Sequence, residues 1–211
     1  MSETNTADFA QRTRALLNAH GDFMLHLAKR SILHTLNTGH VLEPDLTTVP
    51  PELTAEGACF VTLNLGGRLR GCIGSPEAWR PLAADVVHNA NRAAFHDPRF
   101  TPLGQSECTR LEVHISVLSP AEPFAVADEA DLLNKLVPGK DGLIIADTVH
   151  GQTRRALFLP AVWKQLPRPE QFLNHLKAKA GLPPDQYSPD FKAWRFIAAE
   201  TEALWPDILE P

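Results

Sequence analysis

The sequence is poor in the residues that build disulfide frameworks, thiolate metal sites and nucleic-acid-binding surfaces. It has three cysteines in 211 residues, Cys59, Cys72 and Cys108, and no two of them have CxxC spacing. That count argues against a disulfide framework and against a thiolate zinc site. The chain carries 20 basic and 25 acidic residues, a net charge of −5 with neutral histidines. We therefore expect reduced thiols and no nucleic-acid partner, since binding to nucleic acid relies on positive charge.

Long hydrophobic runs and common catalytic signatures are also missing. No stretch approaches the roughly 18 apolar residues of a membrane span, and the N-terminal sequence MSETNTADFAQRTR lacks the pattern of a signal peptide. There is no GxGxxG or Walker-type phosphate loop, no HExxH, no GxSxG and no pair of histidines at i,i+4. These absences predict a cytoplasmic protein with no membrane association, no structural metal and no cofactor.

The patterns that remain predict an α+β protein with a mainly antiparallel sheet and packed helices. Residues 1–21 form a polar segment with weak helical character, 22–205 a single domain, alone or with a smaller lobe, and 206–211 a C-terminal tail. Helical spacing begins at Asp22, which we expect to cap a helix that ends at Gly39. Strands come in hairpins separated by helices, which is typical of α+β proteins. The order hairpin, helix, strand occurs twice and hints at an internal structural duplication.

The individual elements follow from periodicity and turn residues. Apolar residues at helical spacing predict helices, and strict alternation predicts strands. After the first helix, the predicted elements are a hairpin of strands 58–65 and 68–74 around Gly66-Gly67, a helix over 80–97, a strand over 110–119, a short helix over 128–137, paired strands 142–147 and 154–159, two helices in PAVWKQL and PEQFLNHLKAKAGL, and a last strand over 191–204.

The densest local signal is LRGCIG, residues 69–74, on the second strand of the first hairpin. Regular alternation places Arg68, Arg70 and Cys72 on one face of that strand, with Val61 opposite Cys72. A guanidinium two residues from a thiol favours the thiolate, which is what an activated cysteine needs.

The glycines of this motif, Gly71 and Gly74, leave room for close approach of another backbone or a ligand. The spacing alone nevertheless favours a second interpretation, a structural cysteine in a strand beside turn glycines, because free cysteine is among the most buried residue types. Both interpretations of Cys72 stay open at this point.

A nucleophilic cysteine normally needs a base, and His114 is the candidate among nine histidines. It lies on the polar face of the strand RLEVHISVLS, near Glu112 and Ser116. These three side chains would line a cleft shared with Cys72.

Other polar groups are predicted to be structural. In the HDPRF loop, Asp97 and Arg99 are spaced to tie down a turn, and the alternative is that Arg99 binds an anionic ligand. The basic side of LKAKAGL is predicted to be a solvated face. The same is predicted for a stripe on the 80–97 helix, formed by Asp85, His88, Arg92 and His96.

Eight segments carry a resemblance to a known family. They are TLNLGG, LRGCIG, RPLAADV, AAFHDPRFTPL, LEVHISVLSP, DGLII, RRALFLPAVWKQLP and FLNHLKAKAGLPPDQYSPD, in this order. Together they resemble the AMMECR-type domain, whose bacterial and archaeal form is called AmmeMemoRadiSam system protein A. The similarity extends from about Asp22 to Trp205, and LRGCIG, DPRF and the FLP…KAGL block are its most specific parts.

The resemblance implies an α+β domain with an antiparallel sheet, association with a radical SAM protein and a Memo-like protein, and a catalytic or binding site at Leu69–Gly74. We therefore expect an enzyme component that uses Cys72 as a nucleophile or covalent carrier on a small substrate, with Arg68, Arg70 or Arg99 binding an anionic group. The alternative is a non-catalytic adaptor whose rigid LRGCIG hairpin docks the partner proteins.

Overall fold

The computed structural model describes the backbone of residues 3–209 and the side chains of residues 9–209. The first two residues of the predicted polar segment and the last two of the predicted tail therefore lie outside the described residues. The chain divides into two compact units: the first extends to Leu118 and resumes at Ala199, and the second is Ser119–Ala198. Each has its own hydrophobic core and its own antiparallel sheet, and the predicted α+β class is confirmed.

The helices and strands follow one another in an order close to the predicted one. In chain order they are α1 Glu3–Thr38, β1 Glu56–Leu65, β2 Arg68–Gly74, β3 Arg80–Pro81, α2 Leu82–Phe95, β4 Leu111–Leu118, β5 Glu122–Pro123, α3 Glu129–Lys135, β6 Gly142–Val149, β7 Gln152–Phe158, α4 Pro169–Ala180, β8 Lys192–Phe196 and β9 Ala198–Leu204.

A long helix opens the first unit. It ends at Thr38, and the next residue, the predicted terminator Gly39, has a φ of +75° that suits the left-handed end of a helix. The predicted start at Asp22 is wrong, because α1 continues without a break through Gly21 and Asp22. A Cβ at Gly21 would lie 3.0 Å from Thr201 Oγ1. The glycine thus lets α1 pack closely against β9, and this packing outweighs its low helix propensity.

The first sheet has the strand order β2-β1-β4-β9, with β3 beside β1. β1 and β2 are joined by the predicted two-residue turn, in which Gly66 and Gly67 have φ values of +60° and +75°. The helices α1 and α2 cover one face of this sheet. Alternate residues of β1 and β4 point into that core and are fully buried, namely Val61, Leu63, Val113 and Ile115. The other face carries polar side chains.

The second unit has a sheet of order β5-β8-β6-β7, with α3 and α4 contributing to its core. Two predictions need correction here. The segment PAVWKQL forms a 3-10 turn over Pro160–Lys164 instead of an α-helix. The single strand predicted over 191–204 is two strands that belong to different sheets, because the chain passes from the second unit to the first at the start of β9.

The two sheets share a topology, as the hint of internal duplication suggested. In the first, β1 lies between its hairpin partner β2 and the later strand β4. In the second, β6 lies between its hairpin partner β7 and the later strand β8. All four pairings are antiparallel, and each later strand follows an α-helix. The two units thus repeat the same strand order, but their amino-acid sequences show no corresponding repeat.

Two side chains predicted to lie on solvated faces are buried. Asp85 is fully buried and accepts hydrogen bonds from Cys59 N, over 2.9 Å, and from Ser75 Oγ, over 2.6 Å. Lys177, on the basic side of LKAKAGL, is also fully buried and donates to Glu129 and to the carbonyl of Pro184. Both charged groups are compensated by partners, as buried charges must be.

The predicted tail also has structure in its described part. Ile208 is buried, and Lys29 of α1 donates hydrogen bonds to its carbonyl and to that of Trp205, the residue before the tail. Among the described residues, no helix is both long and apolar enough to cross a membrane.

Candidate functional site

The position of Cys72 depends on an irregularity in the first hairpin. The pairing of β1 with β2 shifts between Leu63 and Asn64. Leu63 lies opposite Gly71 and Asn64 opposite Leu69, so Arg70 is an extra residue in a β-bulge.

This bulge corrects the predicted register. Cys72 lies opposite Thr62 and not opposite Val61. It shares the polar face with Leu69, whereas Arg68, opposite Leu65, belongs to the other face. The prediction that Arg68, Arg70 and Cys72 share a face is therefore wrong, because one inserted residue moves each side chain before it to the opposite side.

The Cys72 thiol is half-buried and contacts the side chain opposite it. Thr62 Oγ1 donates a hydrogen bond to Cys72 Sγ over 3.2 Å. The amide and carbonyl of Cys72 point away from β1, so the two residues form a non-hydrogen-bonded pair, in which side chains approach most closely. A hydroxyl that donates to sulfur favours the thiolate over the thiol.

Two side chains of the HDPRF loop occupy the open edge of β2 at Cys72. Asp97 Oδ2 accepts the Cys72 amide over 2.9 Å, and Arg99 Nη2 donates to the Cys72 carbonyl over 3.3 Å. Arg99 also donates to both carboxylate oxygens of Asp97, over 2.9 and 2.6 Å. The predicted turn is thus confirmed. Its side chains also bind the main-chain amide and carbonyl of Cys72, which a neighbouring strand would otherwise pair with.

This pair is charged. Hydrogen bonds from Arg99, and further ones from the Cys72 and Arg99 amides, lower the pKa of Asp97 to about 2. The carboxylate in turn raises the pKa of Arg99, and a negative charge at Cys72 acts in the same direction. Asp97 is buried, whereas about half of the Arg99 side chain, 53%, is exposed.

Arg70, the arginine predicted to activate the thiol, is engaged elsewhere. Its Nε and Nη2 atoms donate to the Glu107 carboxylate over 2.7 and 3.1 Å, and Nη2 also reaches the carbonyl of Thr101 over 3.0 Å. These hydrogen bonds lower the pKa of Glu107. Arg70 therefore joins the hairpin to the loop before β4, with its charge neutralised by Glu107.

The two glycines of the motif have packing roles. A Cβ at Gly71 would lie 2.1 Å from the carbonyl oxygen of Ala93, so this glycine lets α2 approach β2. A Cβ at Gly74 would lie 2.2 Å from the ring of Phe60, its partner across the strands. The predicted close approach of another backbone is thus found at Gly71. Ligand binding by either glycine stays a prediction.

His114 lies on the polar face, opposite Thr62 on the far side from Cys72. Its Nδ1 is 2.7 Å from Glu202 Oε2 of β9, and its Nε2 is 3.0 Å from Glu112 Oε2 and from Asn64 Nδ2. The hydrogen bond with His114 lowers the pKa of Glu112. Cys72, Thr62 and His114 form one row across three strands, with about 10 Å between the first and last backbones. Both ring nitrogens of His114 are engaged by residues other than Cys72.

The site thus brings together a half-buried thiol, a hydroxyl donor, an ion pair and a histidine between two carboxylates. Thr62 was missed in the sequence because the bulge at Arg70 shifts the register by one residue. The contacts of Asp97 and Arg99 with Cys72 were missed because they join distant segments. The DPRF motif was the sequence signal for this part of the site, because a turn held by Asp97 and Arg99 places both side chains close to the end of α2.

Comparisons with known proteins agree on one family. The family model described as AMMECR1 matches residues 25–201. A protein of Thermococcus gammatolerans is 38% identical over 197 residues, which cover 88% of this chain and 91% of the relative. Protein MK0488 of Methanopyrus kandleri is 35% identical over 196 residues, 89% of this chain and 90% of the relative.

A solved structure is similar in fold as well as in sequence. The crystal structure of the uncharacterized protein PH0010 from Pyrococcus horikoshii superposes with a TM-score of 0.79 at 37% identity. The similarity covers 86% of this chain and 90% of that chain. The region matched by the family model, residues 25–201, includes the LRGCIG hairpin and the HDPRF loop.

Proposed function

The chain belongs to the AMMECR1 family, and from that premise we propose that it acts through Cys72, as a nucleophile or covalent carrier for a small substrate with an anionic group. The observation that carries the proposal is the hydrogen bond from Thr62 to the Cys72 sulfur, on an accessible sheet face. Cys59 and Cys108 are buried and have raised pKa values, chiefly because burial penalises a thiolate. They are poor nucleophiles by comparison.

The proposed chemistry is acyl transfer to sulfur. The Cys72 thiol releases its proton to solvent, and the thiolate attacks the carbonyl carbon of an ester or thioester. A carbon–sulfur bond forms while the bond from that carbon to the leaving group breaks, and the leaving group takes that electron pair. A second nucleophile then releases the acyl group and restores the thiolate, with His114 as the proposed base that takes a proton from this nucleophile.

Arg99 is the arginine best placed for an anionic group of the substrate. Its half-exposed guanidinium lies at the Cys72 carbonyl, and Asp97 holds it in place. Arg70 is neutralised by Glu107, and Arg68 belongs to the other face of β2. The fork of an arginine suits a carboxylate or phosphate.

The proposal includes a setting and partners. The family resemblance implies joint action with a Memo-like protein and a radical SAM protein. Three free cysteines suit a reducing compartment such as the cytoplasm.

Activated esters provide the test. The native protein is treated with p-nitrophenyl acetate or with the mono-p-nitrophenyl ester of succinate, and intact mass and peptide mapping locate the acyl group. We expect acylation of Cys72, faster with the anionic ester, and its loss in Cys72→Ser. The proposal is wrong if neither ester acylates Cys72 while the protein is folded.

A second candidate function, the adaptor, is favoured by one observation. Leu69, next to Arg68 near the hairpin turn, is 43% exposed although it lies in a strand. If the hairpin docks a partner protein, Leu69→Asp should abolish capture of the Memo-like or radical SAM protein. The matched control is Leu204→Asp on β9, where the leucine is 52% exposed. Equal capture by both variants and wild type counts against the adaptor.

A further inference from the structure

The loop after α2 binds the main chain of Cys72 at the open edge of β2. An edge strand normally leaves its outward amides and carbonyls to solvent or to another chain. At Cys72 both groups are taken: Asp97 accepts the amide and Arg99 donates to the carbonyl. The carboxylate that does this is itself buried, with 1% of its side chain exposed.

The two side chains also bring opposite charges close to the sulfur. Cys72 Sγ is three covalent bonds from the amide nitrogen that Asp97 contacts and four from the carbonyl oxygen that Arg99 contacts. A negative charge near a thiol disfavours the thiolate, and a positive charge favours it. The pKa of Arg99 is raised mainly by its hydrogen bonds with Asp97, and a negative charge at Cys72 raises it further.

Two other charged groups near this site have partners of their own. Arg70 is bound to Glu107. On the far side of Thr62, His114 lies between the carboxylates of Glu112 and Glu202.

We propose that Asp97 and Arg99 are positioning residues of the Cys72 site, which hold the main chain of Cys72 at the open edge of β2 and act in opposite directions on thiolate formation at its sulfur. Arg99 increases the thiolate fraction at a given pH, and Asp97 limits it while holding Arg99 in place. This inference deepens the proposed function and rests on it for its biological meaning, but the charge effect itself is measurable without any substrate.

The test is an NMR titration of the protein labelled with ¹³C at the cysteine Cβ atoms. The Cys72 signal is assigned with Cys72→Ser, and its shift is followed with pH in the wild type, Asp97→Asn and Arg99→Gln. We expect the titration midpoint to fall in Asp97→Asn and to rise in Arg99→Gln, each by roughly one pH unit. A merely structural role would move both midpoints in the same direction.

Two further variants separate charge from structure. Arg99→Lys keeps the positive charge but loses the planar guanidinium group, and the Cys72 titration midpoint in this variant should stay close to that of the wild type. Arg14→Gln removes the same charge from an exposed position on α1 and should have no effect. If Asp97→Asn does not fold, the comparison of Arg99→Gln with Arg99→Lys decides, and equal midpoints overturn the inference.

The outcome is distinguishable from failure of the proposed function. Opposite shifts without any acylation by the esters would refute the nucleophile and leave the positioning pair standing. Acylation of Cys72 with midpoints that do not move, or that move together, would refute the positioning pair alone.

Discussion

The Thr62 hydroxyl donates a hydrogen bond to Cys72 Sγ over 3.2 Å, between directly opposed residues of β1 and β2. The contact exists because Arg70 forms a bulge that brings Cys72 opposite a threonine instead of the buried Val61. The bulge thus places the Cys72 thiol beside a hydrogen-bond donor on the polar face, whereas a regular register would point the thiol into the core.

Removal of the Thr62 hydroxyl should slow the reaction of Cys72. Thr62→Val keeps the shape and deletes the donor, and we expect alkylation of Cys72 by iodoacetamide at pH 7 to slow by roughly threefold to tenfold, the value of one hydrogen bond. Thr62→Ser keeps the donor and is the control. Peptide mass spectrometry gives the rates, and equal rates in the valine and serine variants would show that the hydrogen bond has no part in the reactivity.

Gly71 should be important for the stability of the first unit. In Gly71→Ala the new Cβ would lie 2.1 Å from the Ala93 carbonyl oxygen, and α2 must shift away from β2. We expect the free energy of unfolding to fall by roughly 3 kcal/mol. In the control, Gly104→Ala, the Cβ meets Glu107 at an ordinary 3.6 Å. Similar urea midpoints for the two variants would contradict the packing role.

Asp97 should contribute to acid sensitivity. Its pKa is about 2 in the folded chain and 3.8 without these contacts, so the stability it provides is nearly complete above about pH 5. As the pH falls from 5 to 2 most of that stability, roughly 2 kcal/mol, is lost. The free energy of unfolding should therefore depend less on pH in Asp97→Asn than in the wild type over this range. Parallel curves in urea titrations would contradict the assignment.

The buried lysine of the second unit should be important for stability. Lys177→Met removes the hydrogen bonds to Glu129 and to the Pro184 carbonyl. Because the Glu129 side chain is 34% exposed and solvent can hydrate its charge, we expect a loss of roughly 1 to 2 kcal/mol. Lys164→Met, at an exposed position of the Pro160–Lys164 turn, is the control. Thermal unfolding measures both, and a Lys177→Met midpoint equal to that of the control would refute the role of the pair.

The fold was largely predictable because its signals are local. Alternation in RLEVHISVLS predicts β4, and two glycines predict the hairpin turn. The errors arise where tertiary packing decides. Gly21 interrupts the helical pattern, yet packing against Thr201 keeps α1 continuous. The helical pattern places Asp85 on a solvated face, yet it is buried in the core, where the Cys59 amide and the Ser75 hydroxyl donate hydrogen bonds to its carboxylate.

The site was predictable in part. LRGCIG and DPRF are short motifs that stand out in the sequence, and Cys72 and Arg99 were singled out from them. Their connection was not predictable, because it depends on how the loop after α2 folds back onto β2. Arg70 was assigned to the thiol on alternation alone, and the bulge that diverts it to Glu107 has no signature in the sequence.

The most direct test of an activated Cys72 compares the same thiol in the folded and the unfolded chain. The rate of alkylation by iodoacetamide is measured at pH 6 to 9 in buffer and in 8 M urea, with peptide mass spectrometry resolving Cys59, Cys72 and Cys108. We predict that folding slows the two buried cysteines and accelerates Cys72 at pH 6 to 7, with a midpoint below the roughly 8.5 of a free thiol. If Cys72 instead reacts more slowly in the folded chain at every pH, its thiol is a packed structural group and the central claim is wrong.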